Sequence, residues 1–326
     1  MTGLERLNKS LIVSSSPHIR ADMDTPRIMA WVIIALAPAG LAGIYFLGLR
    51  SLAVMAACIV SCVLAEYIWQ KGTKQKITLS DLSAVVTGLL LAYNVPPSIP
   101  LWMCACGSFF AMIIVKHFFG GLGQNIMNPA LAGRAMMLIC WPVAMTTWTL
   151  NGVSSPTPLA TIKALDALSG PSVGKFTHFL PGIGDAFIGN IGGCIGETSV
   201  LALLIGGGLL IYKKIIPWKI PAIYIATVAI FSVVFGRSGG PLLEILAGGL
   251  MLGAFFMATD YATSPMTDKG QMIFALGCGF ITSLIRAFGG YPEGVSYSIL
   301  IMNLTVPIID RMTMPRILGE AKSRVG

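Results

Sequence analysis

Long apolar stretches separated by short polar breaks dominate the chain from residue 27 to residue 312. A helix needs about 20 predominantly apolar residues to cross the hydrocarbon layer of a bilayer. Stretches of that order occupy 27–48, 51–70, 79–94, 98–118, 128–147, 187–212, 216–236, 241–259, 270–289 and 295–312. The pattern predicts an all-α integral membrane protein of about ten transmembrane helices, the third of them short and half-broken. It also divides the chain into a tail at 1–26, a first membrane half at 27–147, a loop at 148–186, a second membrane half at 187–312 and a tail at 313–326.

Composition points the same way: 55% of the 326 residues are hydrophobic, 11% are charged and mean hydropathy is +0.79, too little polar surface for a soluble fold. The first tail carries Arg6, Lys9 and Arg20 and no apolar core of a signal peptide, so a retained cytoplasmic tail is expected. In that orientation seventeen of the 22 basic residues, Arg134 among them, fall on the inner side. Arg50, Lys163, Lys175, Arg237 and Arg286 are left for the outer side. This bias follows the positive-inside rule, and it puts both termini in the cytoplasm and the 148–186 loop outside. It also explains the net charge of +8 by loops facing a lipid bilayer rather than by nucleic acid. The seven cysteines, at 58, 62, 104, 106, 140, 194 and 278, show no CxxC spacing and read as small residues at helix contacts.

The chain echoes itself. Thr87-Gly88 followed by LLLAYNVPP, then a helix ending VKHFFGG at 115–121, resembles Gly253 followed by AFFMATDYATSP, then a helix ending LIRAFGG at 284–290. The two passages lie about five spans apart, and an odd offset reverses orientation, so a 5+5 inverted repeat with broken helices is expected.

Polar residues inside this apolar frame are the candidate chemistry. In Gly120-Gly121-Leu122-Gly123-Gln124-Asn125-Ile126-Met127-Asn128-Pro129 the glycines allow irregular backbone, and Asn-Pro reads as a helix start. Asn125 and Asn128 either line a polar pocket at membrane depth or cap the next helix. Glu197, among glycines 192, 193 and 196, and Asp260, in Asp260-Tyr261-Ala262-Thr263-Ser264-Pro265, are acids costly in lipid. They read as ion-path groups or as buried structural carboxyls. The stretch Asn151-Gly152-Val153-Ser154-Ser155-Pro156-Thr157 reads, by composition, as a turn-rich surface loop.

Several longer motifs occur in one order along nearly the whole chain: SSSPHIR at 14–20, FGGLGQNIMNPALAGR at 119–134, SSPTPLATIKALD at 154–166, GCIGETSVLALLIGG at 193–207, FMATDYATSP at 256–265 and IRAFGGYPEGVSYSILIMNLTVPIID at 285–310. Together they resemble the D subunit of the Rnf electron-transport complex (RnfD), a family that includes the B subunit of the Na⁺-translocating NADH:quinone reductase. The first span starts near residue 27, without the longer extension typical of the quinone-reductase subunit, which favours Rnf.

The resemblance implies a prokaryotic cytoplasmic-membrane translocase that moves electrons between ferredoxin and NAD⁺ and couples this to Na⁺ or H⁺ transport. It implies partners in one complex: a flavin-bearing G subunit, membrane-embedded A and E subunits, an NAD-binding C subunit and an iron–sulfur B subunit. It also implies FMN joined through its phosphate to Thr157, beside Ser154 and Ser155, and noncovalent riboflavin near Asn125 and Asn128. Glu197 and Asp260 become candidates for ion coupling. The attachment pattern is matched loosely: Asn151 stands where aspartate is usual, Ser155 is an accepted variant, and Pro156 replaces the usual alanine, removing an N–H and fixing φ beside the acceptor. Two alternatives stay open, the quinone-reductase subunit and a flavin-free channel or transporter for a small polar solute. Flavin content separates the last from the others.

Overall fold

The computed structural model describes residues 24–150, 153–167 and 180–315. Most of both expected tails, the motif at 14–20, and the Asn151 and Lys175 positions of the 148–186 loop lie outside the described residues. Helix α1 runs Thr25–Leu47, α2 Leu49–Gly72, α3 Ser83–Tyr93, α4 Leu101–His117 and α5 Pro129–Cys140. Helix α6, Pro158–Ala167, belongs to the 148–186 loop. Then follow α7 Val200–Tyr212, α8 Lys219–Val234, α9 Gly240–Leu246, α10 Leu250–Met257, α11 Asp268–Phe288 and α12 Val295–Thr313. Among the described residues the fold is all-α but for one two-residue antiparallel ladder, Thr149–Leu150 against Val153–Ser154.

Every predicted stretch contains helix, but the described helices differ in reach. By length and composition α1, α2 and α11 can each cross a membrane, and α9 with α10, bent by 63°, forms a fourth if counted as one span. Helix α3 has 11 residues; at about 1.5 Å per residue it covers roughly half of a hydrocarbon layer about 30 Å thick. All but one of its residues are buried in protein, so it need not span lipid.

Local chemistry sets the helix starts. Asn128 accepts from Ala130 N–H and Leu131 N–H with Pro129 behind it, Ser199 accepts from Ala202 N–H, and Thr267 from Gly270 N–H. The break between α9 and α10 falls at Ala247-Gly248-Gly249, where Gly248 has φ of +68°. Helix α4 widens into π-helical turns over Phe110–His117, and α10 does so over Gly253–Met257. Such turns open the backbone ladder and concentrate at functional sites.

The packing is patterned. In the first set of helices α2 packs on α3 and α4, and in the second α8 packs on α9 and α11. Across the sets α1 meets α7, and α5 meets α12. The α1–α7 contact is close because Gly206 has no side chain: a Cβ there would lie 1.9 Å from Ala35 O. Small residues allow such approach where lipid offers no hydrophobic drive to association. Of the seven cysteines, five are buried and Cys106 and Cys140 are exposed, and all are free thiols.

Candidate functional site

Two cavities collect the polar groups. The larger, called the outer one after the side on which the 148–186 loop is expected, is about 510 Å³ and is lined by Trp148, Tyr291, Tyr297, Arg134 and Glu293 and by Ser155-Pro156 of the loop. Its loop wall is pinned at Ser155, whose N–H bonds Trp148 O at 3.1 Å just beyond the two-residue ladder. Thr157 lies between this cavity and a smaller one of about 250 Å³ bordered by Ser155, Pro156, Pro158 and Thr161, and it lines neither. It is 4% exposed, and its Oγ1 accepts from Ala160 N–H at 3.2 Å, the cap of α6.

Helix α6 is fastened to the second set of helices. Leu159, Ile162 and Leu165 are buried; a Cβ on Gly239 would strike Ile162, and one on Gly248 would strike Leu159. At the far end of α6, Asp166 pairs with Arg237 and accepts from Ser238 N–H at 3.0 Å. Arg237 also pairs with Glu244 at 2.9 Å, and Glu244 with Arg286 at 2.9 Å, so one chain of charge, buried from Arg237 onward, ties the loop helix to α9 and α11. Lys163 bonds Gly289 O. Burial, and then the nearby Arg237 cation, holds its amine below the ordinary lysine range.

Arg134 corrects one reading of the sequence. It is not an inner-loop cation: it sits inside α5, 6% exposed, pairs with Glu293 and bonds Ser296 Oγ. Beside it, Glu197 is brought together with Cys194 and Glu293, the thiol sulfur and a carboxylate oxygen of each acid all lying within 4.8 Å of one another.

The second cavity, called the inner one by the same expectation, is about 90 Å³ and is lined by Asn125, Asn128, Asp260, Lys116, Ser83 and Thr259, among others. Asn125, Asn128 and Asp260 therefore share one site, while Glu197 belongs to the other cluster. Both open readings of Asn128 hold at once: it lines the cavity and caps α5, and its Nδ2 also donates to Met257 O at 3.4 Å. Asn125 is bound only locally, to Met127 O at 3.2 Å. Asp260 accepts from Thr263 Oγ1 at 3.1 Å. Pockets for drug-sized ligands run from about 300 Å³ upward, so this cavity as it stands does not admit a three-ring flavin. Next to it, Glu66 accepts from Lys116 at 3.1 Å and faces His117 Nε2 at 3.3 Å, and Lys116 donates to Ser83 Oγ at 2.7 Å.

Residues 12–319 match the model of the NQR2, RnfD, RnfE family. The chain belongs to that family. It is 53% identical, over 96% of each chain, to the D subunit of the Na⁺-translocating ferredoxin:NAD⁺ oxidoreductase complex of Acetobacterium woodii. It is 48% identical, over 95% of its own length and 96% of the relative's, to the D subunit of the proton-translocating ferredoxin:NAD⁺ oxidoreductase complex of Clostridium ljungdahlii. To the D subunit of the ion-translocating oxidoreductase complex of Escherichia coli the figures are 36%, 95% and 99%.

For this NQR2, RnfD, RnfE member, sequence reasoning singled out the loop, the asparagines and the two acids as candidates, and it did not single out Arg134, Glu293, Cys194 or the aromatic wall, which the structure gathers at and beside the larger cavity. The signal for Arg134 was present: a guanidinium inside an apolar stretch is costly unless paired. Its partner lies 159 residues away, and no local pattern points to it.

Proposed function

We propose that this chain is the D subunit of a membrane-bound, ion-translocating ferredoxin:NAD⁺ oxidoreductase complex. In it the chain carries FMN esterified to Thr157 and passes electrons inward toward a riboflavin, coupled to movement of Na⁺ or H⁺. The reading joins the names of the relatives to one observation, the 510 Å³ outer cavity bordered by Ser155-Pro156 and walled by three aromatic side chains.

That cavity is of the size that takes a drug-sized ring system, and Trp148, Tyr291 and Tyr297 offer flat faces to stack on it. The start of α6, a ten-residue helix, is a favourable neighbour for a phosphate. Arg134 supplies a cation at the cavity edge. Because Thr157 is buried in its cap, attachment requires the Ser155–Thr157 turn to swing outward, giving up a bond worth about 1 kcal/mol. FMN, when bound, supplies one- and two-electron transfer. The chain's own residues orient it: the aromatic wall fixes the ring plane, and the Asp166–Arg237–Glu244–Arg286 chain holds the loop in register with the membrane helices.

Riboflavin belongs, on this reading, beside Asn125 at the inner cavity, with the Gly120–Gly123 turn opening to make room; Asn128 stays as the cap. Membrane architecture completes the proposal: ten spans in two inverted five-helix halves, in the cytoplasmic membrane, with both termini inside. The matching packing of α2 and α8, and the pairing of α1 with α7 and α5 with α12, support the two halves. The G, A, E, C and B subunits of the complex are the partners, and the NAD and iron–sulfur sites lie on them.

Absorbance of the full purified chain tests this. Flavin bands that survive dialysis support it, and a colourless protein favours a solute transporter, the reading that inverted repeats also permit. The family's quinone-reductase branch is the second reading, since the matched family spans both. Ferredoxin-dependent reduction of NAD⁺ by the purified complex, without quinone, decides for the first.

A further inference from the structure

Beside the outer cavity two carboxylates compete for one cation. Arg134 pairs with Glu293 and reaches Cys194 Sγ at 3.9 Å, while Glu197 lies within 4.8 Å of both the thiol and the Glu293 carboxylate. The group is largely buried: Glu197 is 4% exposed, Cys194 0%, and the Glu293 side chain, which borders the cavity, 14%. Glu197 Oε1 is buried without a hydrogen-bond partner, as is Arg134 Nε. Room for that carboxylate comes from another segment, since a Cβ on Gly249 would sit 2.5 Å from Oε1.

The remaining charged and titratable groups packed around it do not relieve the imbalance. On α3, Tyr93 is spent on Leu36 O; on α9 and α11, Glu244 and Arg286 pair with each other; and on α12, Tyr297 lines the cavity. Fully ionised, the group would bury one net negative charge, which is costly in a low-dielectric interior. A thiol and a guanidinium make poor company for Na⁺, which prefers hard oxygen ligands. A proton suits the group better.

We propose that Glu197 and Glu293 share one proton, taken up through the adjoining cavity, which Glu293 borders, when negative charge is placed there. The electron comes from the low-potential carrier that feeds the complex, and the proton from water. An O–H bond forms on a carboxylate oxygen and no bond in the protein breaks. The shared proton stands on the geometry alone, whereas its coupling to charge in the cavity rests on the flavin reading above.

Infrared difference spectroscopy on the full chain, purified with its accompanying subunits, tests both parts. Titrated with acid and base at fixed oxidation state, the wild type should show the carbonyl band of a protonated carboxyl. Glu197→Gln and Glu293→Gln should each lose it, and Asp185→Asn, at an exposed acid, should keep it. Glu293 is the less buried partner, so its variant tests the same proton if the Glu197 variant fails to fold. On electrochemical reduction the band should grow in the wild type only, and the pH dependence of the flavin potential should be shallower in both glutamine variants than in the wild type, because the ring's own protons remain. An unchanged band in both variants overturns the proposal, as does a band set by Na⁺ at fixed pH. A wild type that holds no flavin overturns the coupling and the flavin reading together, while the acid titration still decides the shared proton.

Discussion

Arg134 shows how much one residue can hide. Its place inside an apolar helix marked it as expensive, yet the charge count put it in a loop, because the pairing with Glu293 is a tertiary fact that no periodicity carries. Removing one partner of a buried pair leaves a bare charge, so Arg134→Met should cost roughly 3–5 kcal/mol. The loss should appear as a lower unfolding temperature in detergent, and adding Glu293→Gln should recover part of it. Asn128 was half legible: Asn-Pro announced a helix start, and the structure adds a cavity wall and a bond to Met257 O. Asn128→Ala should lose about 1 kcal/mol of stability and Asn128→Ser less, because the serine hydroxyl still caps without burying a charge. Equal losses in both would mean that the cap is not what Asn128 contributes.

Among the elements, the loop helix α6 is the case where sequence reasoning saw the segment but not its moorings. Composition suggested a surface loop; the structure sinks Leu159, Ile162 and Leu165 and closes the end with the Asp166–Arg237 pair. The anchoring residues come from segments more than 70 positions later, and for that reason they were illegible. Asp166→Ala should loosen α6 without unfolding the membrane helices. Limited proteolysis should then cut faster between residues 150 and 185, with unfolding temperature shifted by little; unchanged cutting would show that apolar burial alone holds α6. Helix α3 carries the complementary lesson. Hydropathy cannot separate an apolar helix facing lipid from one enclosed by protein, and α3, with 11 residues almost all buried, is the second kind.

Over the molecule as a whole, the apolar stretches located the helices of the membrane region, because length and apolarity are properties of the chain itself. The cavities were not legible, since each is assembled from distant segments: the outer one takes residues from 134 to 297 and the inner one from 28 to 261. The relatives from Acetobacterium woodii and Clostridium ljungdahlii are named for different ions, Na⁺ and H⁺, so overall similarity does not select the coupling ion. Orientation can be checked directly. A phosphatase reporter, active only outside the cytoplasm, should be active when inserted near residue 170 and inactive when fused at the C-terminus. The reverse pattern would turn the molecule over.

Everything proposed for electron transfer depends on Thr157 bearing a flavin, and a denaturing gel asks this of the protein itself. Viewed under ultraviolet light, the wild-type band should fluoresce, and a peptide containing Thr157 should carry the added mass of FMN. Thr157→Val should be dark while running at the same position with similar yield. A fluorescent Thr157→Val band, or a dark wild type from cells able to attach flavin, would refute the assignment.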